Sequence, residues 1–249
     1  MAAPGSFCPW RLPYTGIIEN NQGKDMTAIL EFWNKFITML PELMEGFGVT
    51  VTIFALTLIF SLPLGLFLSF GRMAKNSLIR TLSKIYISVM RGTPLMLQLV
   101  VVYFSPYYVF GIKISNSWRF TAVIVAFVLN YAAYFAEIYR SGIESIPKGQ
   151  YEAAEVLGYT KVQTFVKIIL PQVIKRILPP ITNEMITLVK DTSLAFVLAQ
   201  VEMFTAAKQF AAAQASVMPL MVAGVFYYIF NLIVASLMEF AEKKLNYYR

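Results

Sequence analysis

Five stretches of this chain carry no charged side chain at all: residues 46–71, 92–112, 120–136, 192–201 and 209–238. Several reach the roughly 20 residues that a helix needs to cross the hydrocarbon core of a bilayer. Hydrophobic residues make up 57% of the 249, and charged residues only 14%, against about 25% in a typical soluble domain. These runs make the chain an all-α, multi-pass membrane protein, with one membrane domain accounting for nearly all of it.

Composition removes several kinds of chemistry. There is no histidine and a single cysteine, Cys8. Imidazole catalysis, imidazole proton relays, an intrachain disulfide and a Cys-based metal cluster are therefore excluded. No apolar stretch with a basic flank precedes Cys8, which argues against a lipidation site. The net charge of +7 does not call for nucleic acid, because basic residues in a membrane protein mark its cytoplasmic side.

Residues 1–27 read as a disordered lead or a misassigned start, with Met26 as the alternative start. Residues 28–45 contain an amphipathic helix. Phe32, Phe36, Met39 and Leu40 share one face, while Glu31, Asn34 and Lys35 interrupt the rest. That pattern suits a helix lying in the membrane interface. The membrane domain proper runs over 46–240, with a loop at 141–175 and a tail at 241–249.

Within it we place five transmembrane helices, at about 46–71, 92–110, 120–140, 176–200 and 216–239. An odd number puts the termini on opposite sides. With the N-terminus outside, the inner segments 72–91, 140–176 and 240–249 hold five, six and three basic residues, fourteen of the 21 Lys and Arg, and the outer segments hold six. Lys190 falls within a span. The bias favours the N-terminus outside and the C-terminus in the cytoplasm, and it puts the 141–175 loop in the cytoplasm.

Local chemistry divides that loop into two short helices. Pro147 stands where a first turn begins, a position at which its missing N–H costs nothing. The run Lys148–Leu157 is rich in helix formers, and Gly158 ends it in the left-handed conformation. Thr160 and Gln163 have capping-box spacing, so a second helix starts at Lys161. Pro171 ends that helix or kinks it into the fourth span. Tyr151 and Leu157 offer apolar anchors, Ala153 and Ala154 permit close backbone approach, and Glu152 and Glu155 can pair with basic groups. By these features alone the loop suits either docking into a partner or a plain amphipathic connector, although ordered loops of this length are more often functional.

The residues Glu152, Ala153, Ala154, Gly158, Ile168, Leu170 and Pro171 stand at the spacing EAA-x3-G-x9-I-x-L-P. This resembles the cytoplasmic loop by which permease subunits of ABC importers engage their ATPase. Flanking segments are similar to the permeases for polar amino acids, the histidine/glutamine/arginine type. They are Arg91-Gly-Thr-Pro-Leu-Met-Leu-Gln98, the lead-in Ala136–Gln150, Ile177-Leu-Pro-Pro-Ile-Thr-Asn-Glu184 and Leu188-Val-Lys-Asp-Thr-Ser-Leu194. The resemblance covers roughly 46–240. It implies a type I ABC importer permease fold with a cytoplasmic coupling helix, in the cytoplasmic membrane of a bacterium. It also implies a dimer with a second permease subunit, identical or related, and a pair of ABC ATPase subunits below. An extracytoplasmic binding protein would deliver the amino acid. The chain itself holds no cofactor and is not an enzyme. ATP and Mg belong to the ATPase, and Gly23-Lys24-Asp25 lacks the Ser/Thr and the spaced glycine of a P-loop.

Polar residues recur within the spans. On the fourth, Asn183, Glu184, Thr187, Lys190 and Asp191 form one stripe. Ionisable groups at such depth are costly unless they face a cavity or a partner. The stripe therefore suits the wall of a translocation path, with Glu184 or Asp191 accepting a substrate ammonium and Lys190 holding its carboxylate. The same residues also suit pairing within the bundle, and Asp191 suits a cap on a new helical segment. Asn130 in the third span and Gln98 in the second are further path candidates, or plain interhelical hydrogen bonds. Pro63 and Gly65 point to a kink in the first span. A second reading is an ion-driven carrier with Glu184 and Asp191 on the coupling ion. No second copy of any segment supports the paired repeats common in such carriers. A membrane scaffold without transport is a third, and the polar stripe argues against it.

Overall fold

The computed structural model describes the backbone of residues 15–245 and, along it, the side chains of Leu30 and of Trp33 onward. Among the described residues every regular element is helical. The chain divides into two compact units, 1–42 and 43–249. In the first, Trp33 meets Phe36 edge-on at 5.8 Å. Phe36 is half-buried, whereas Trp33 and Ile37 are exposed. Phe32 lies outside the described side chains.

Helix α1 (Thr15–Arg72) is continuous. Residues 15–27 lie within it, in the segment that the sequence marks as a disordered lead or a misassigned start. Gly65 does not need a kink to explain it. A Cβ there would lie 2.8 Å from Phe135 Cβ and 3.0 Å from the Ala132 carbonyl oxygen, so the glycine lets two helices touch backbone to backbone. Gly65→Leu is expected to cost about 1–3 kcal/mol through overpacking, read as a lower melting temperature of the detergent-solubilised chain.

The segment 72–91, expected as an inner connection, carries most of helix α2 (Ser77–Gly92), capped by the Asn76 side chain on the Leu78 N–H. After Thr93-Pro94 the chain turns by 113° into α3 (Leu95–Phe110). Pro94 forces the preceding residue out of the helical region, and the turn sits at that point. The sequence signal missed α2 because its charges at Arg80, Lys84 and Arg91 look like a loop unless the apolar residues between them are placed on a helix.

Helix α4 (Asn116–Glu144) is the centre of the second unit. It packs against α2 and α3, and also against α7 (Leu170–Asp191). Val123, Phe127, Tyr131 and Phe135 build the core with Leu99, Leu188 and Ile181. Beyond Asp191 the helix tightens into a 3-10 segment, Thr192–Leu198, which ends at Ala199 in the left-handed conformation (φ 53). Helices α8 (Met203–Gln214) and α9 (Met218–Leu245) follow and pack on each other, and α9 also packs on α7. Thr182 donates to Glu242 at 2.9 Å across that contact.

Among the described residues three helices are long and apolar enough to cross a membrane, Trp33–Arg72, Asn116–Glu144 and Met218–Leu245, and the bent pair α2–α3 makes a fourth crossing if taken as one. Helix α7 falls short on composition because it carries the polar stripe. Phe67, Val101, Met221 and Leu237 point outward from these elements, as side chains facing hydrocarbon would.

Candidate functional site

Two separate arrangements emerge. The first is the 141–175 loop. Helix α5 (Lys148–Val156) begins after Pro147 (φ −59, ψ 139). It ends in a Schellman motif: Tyr159 N–H donates to the Ala154 carbonyl at 3.0 Å and Gly158 N–H to that of Glu155 at 2.9 Å. Gly158 takes φ +78, which a residue without a Cβ adopts freely. Helix α6 (Lys161–Thr164) opens with a complete capping box, Gln163 N–H to Thr160 Oγ1 at 3.3 Å and Thr160 N–H to Gln163 Oε1 at 3.0 Å. Pro171 neither ends the helix nor breaks it. A π turn at Phe165–Ile169 widens the ladder, with Leu170 N–H reaching back to Phe165, and the chain enters α7 with Pro171 in its first turn. The wider turn removes the clash that a proline ring makes with the carbonyl four residues earlier.

The seven pattern residues split by role. Glu152, Ala153 and Gly158 are exposed, Ala154 is 1% exposed, and Ile168, Leu170 and Pro171 are half-buried. Ala154 thus seats α5 on its own scaffold and is not available to a partner, contrary to the sequence expectation. The face left open has a harder edge than expected: Val156 is 87% exposed, and Leu157 and Val162 are each 73%. Val156 and Val162 were missed because they lie off the recognised spacing. Apolar side chains this exposed, grouped on a rigid polar-rimmed helix pair, are what an interface core requires.

The second arrangement is a cavity of about 390 Å³. Asn130, Tyr131 and Tyr134 of α4, Glu184, Thr187 and Asp191 of α7, and Thr93 and Pro94 at the α2–α3 bend are in its wall. Asp191 makes no capping hydrogen bond. Its Oδ2 accepts from Tyr131 Oη at 2.8 Å. Asn130 donates to Gln98 Oε1 at 2.9 Å and to the Met90 carbonyl at 3.1 Å, and Gln98 Nε2 is tied to Met90 and Thr93. Gln98 therefore does not line the cavity; it holds Asn130 and bridges the helix break. Glu184 has no hydrogen bond or ion pair among the described residues.

Asn183 and Lys190 are exposed and take no part in this cavity. The helical stripe is about a third of a turn wide, and only its Glu184–Thr187–Asp191 side turns inward. A further cation borders the cavity: the Arg91 guanidinium lies 5.3 Å from the centre of the ring of Tyr134, a wall residue, a cation–π distance. Tyr131 and Tyr134 were not singled out from sequence, and Arg91 and Thr93 were read there only as part of the helix break at Arg91-Gly-Thr-Pro94. The spacing Asn130, Tyr131, Tyr134 (i, i+1, i+4) held the signal, but tyrosine in a span reads as packing by default.

Glu202 was also missed, because it falls in what looks like an outer loop. It is fully buried and caps α8, accepting from Phe204 N–H at 2.7 Å, Thr205 N–H at 2.8 Å and Tyr227 Oη at 2.9 Å. Glu202→Ala would leave the half-buried Phe204 and Thr205 N–H groups without this acceptor, at about 1–3 kcal/mol each. We expect failure to accumulate in the membrane, with Glu202→Gln retaining part of the wild-type level.

Comparison with known proteins converges on one description. The family profile for a binding-protein-dependent transport system inner membrane component matches residues 61–247. A putative glutamine transport system permease protein, GlnP of Rickettsia conorii, is 34% identical over 218 residues, covering 87% of this chain and 99% of the relative. The arginine transport system permease protein ArtQ of Bacillus subtilis is 38% identical over 211 residues, 84% of this chain and 95% of the relative. A chain from the crystal structure of an amino acid ABC transporter with histidines has TM-score 0.76 at 30% identity, covering 84% of this chain and 96% of that one. The MetNI methionine ABC transporter, in an inward-facing conformation, shares the fold at TM-score 0.61 and 21% identity, covering 83% of this chain and 95% of that one.

Proposed function

The chain belongs to the family of binding-protein-dependent transport system inner membrane components, and on that premise we propose that it is the permease subunit of an ATP-driven importer for a polar amino acid. It crosses the cytoplasmic membrane five times, with its N-terminus outside and C-terminus inside, in the type I ABC importer arrangement. It works as a dimer with a second permease subunit, identical or related. An extracytoplasmic binding protein delivers the substrate, and two ATPase subunits, which hold ATP and Mg, supply the energy.

The observation that carries this reading is the loop. A stiff pair of helices, locked by a Schellman motif and a capping box, presents Glu152, Ala153, Val156 and Leu157 away from the bundle. Rigidity lets a displacement of a docked ATPase pass into the spans, because α5 packs on α6 and the π turn, and α6 continues through that turn into α7, which bears the cavity wall. ATP closure draws the two loops of the dimer together and turns the spans outward; hydrolysis reverses this. Asn130, Glu184, Thr187 and Asp191 bind the substrate in transit. Gln98 positions Asn130, and Asn183 and Lys190 lie on the side of α7 turned to the second permease subunit.

Proteoliposomes containing this chain, its ATPase and the cognate binding protein test the reading. Labelled amino acid uptake should require internal ATP and the binding protein, and should survive a protonophore. Uptake that ignores ATP and follows a proton or sodium gradient would overturn it in favour of the carrier.

A further inference from the structure

The end of α1 and the length of α2 bring three cations into one shallow pocket of about 390 Å³: Arg72, Lys84 and Arg91, with Ser88 and Ile87 between them and Glu137 at its edge. The charges there do not balance. Glu137 is bonded to Arg140, whose Nε donates to its Oε2 at 3.0 Å and which also pairs with Glu144, so the one carboxylate at the pocket's edge faces three pocket cations. Arg91 rests on the Tyr134 ring. Arg72 and Lys84 have no hydrogen bond or ion pair among the described residues. Neighbouring like charges within a Debye length of one another repel; Arg72 is half-buried, and Lys84 and Arg91 are exposed. A pocket built this way is complementary to an anion that comes from outside the chain.

A second observation says what kind of anion. Beside the cationic row Arg80, Lys84, Arg91, helix α2 exposes Leu78, Leu82, Ile85 and Val89 at i, i+4, i+7 and i+11. Its other side is fixed to α4 by Ile87 against Ala133 and Ala136 and by Tyr86 Oη on the Leu129 carbonyl at 2.8 Å. Helix α2 also lies across the direction of α3, turned by 113°. A helix held crosswise, with cations on one flank and bare apolar side chains on the next, suits a membrane interface. The ligand that meets both flanks has an anionic phosphate and an acyl chain. We propose that Arg72, Lys84 and Arg91 form a binding site for the headgroup of an anionic phospholipid of the inner leaflet. The acyl chains lie along Leu78, Leu82, Ile85 and Val89. Basic pockets between transmembrane helices on the cytoplasmic side are suited to such headgroups. The side of the membrane rests on the orientation given above.

The test uses the full chain in nanodiscs of phosphatidylcholine with a minor fraction of phosphatidylglycerol, and counts the lipids that stay bound by native mass spectrometry. Wild type should retain phosphatidylglycerol preferentially. The double variant Arg72→Gln, Lys84→Gln should lose about thirtyfold of that preference, while Arg72→Lys, Lys84→Arg should keep it. A Lys244→Gln control should leave it unchanged; an equal loss there would mean general surface charge and would overturn the site. Inorganic phosphate should not raise the melting temperature of wild type in pure phosphatidylcholine; a rise that the double variant lacks would assign the pocket to a free anion instead. A double variant that keeps its lipid but no longer co-purifies with the ATPase would make the pocket a protein contact and end the proposal. Lipid retention is read without ATP or substrate, so failure of ATP-driven uptake would remove the functional reading and leave this result standing.

Discussion

A Glu152→Lys, Val156→Arg double variant is expected to reach the membrane at wild-type levels, keep its melting temperature and lose ATP-driven uptake by at least about thirtyfold. Both side chains point away from the bundle, so the chain loses no packing of its own. In a docked complex Val156 would enter the desolvated centre of the contact. Losing an anchor of that kind costs about 2 kcal/mol or more, which is about thirtyfold in an equilibrium constant. The same variant should release the ATPase on purification. Ala154→Trp gives the contrast. Ala154 is buried against its own scaffold, so that change should lower the melting temperature as well as uptake. Full uptake by the double variant, with the ATPase still bound, would show that this face is not where the engine attaches.

The division between exposed and buried loop residues shows what a spacing can and cannot carry. Pro147, Gly158 and the Thr160–Gln163 pair act through bonds to their immediate neighbours, so their roles were visible in sequence and appear in the structure as turns, caps and a left-handed glycine. The direction in which Ala154 points depends on what lies beneath the helix. That is a tertiary matter, and adjacent alanines carry no sign of it. The same limit applied to Pro171, whose effect was absorbed by a π turn built from residues before it. It applied again to α2: the charge count that oriented the chain treated 72–91 as an inner connection, because basic residues mark a side of the membrane whether or not their backbone is helical.

In the cavity the limit is finer. A helical stripe can be drawn from sequence to within about a third of a turn, but one residue rotates by about 100° at 3.6 residues per turn. Lys190 and Asp191 are neighbours in sequence, and they end on different sides: Asp191 accepts from Tyr131 inside the cavity and Lys190 is exposed. The structure turns that difference into an expected result. Asp191→Asn should raise the apparent KM for amino acid uptake by about ten- to a hundredfold, the range of a lost charge-assisted hydrogen bond of about 1.5–3 kcal/mol. Basal ATP hydrolysis should persist, since the loop is untouched. Lys190→Gln should change KM less than about twofold, a change that is small beside RT ln 10. Tyr131→Phe supplies the third point. It leaves the carboxylate and removes the hydroxyl that orients it, so it should fall between the two, and its effect should vanish in an Asp191→Ala background, where no acceptor for that hydroxyl remains. An effect of Lys190→Gln equal to that of Asp191→Asn would place the substrate on the outer side of α7, at the face turned to the second subunit, and the cavity between α4 and α7 would then be a packing defect beside the path.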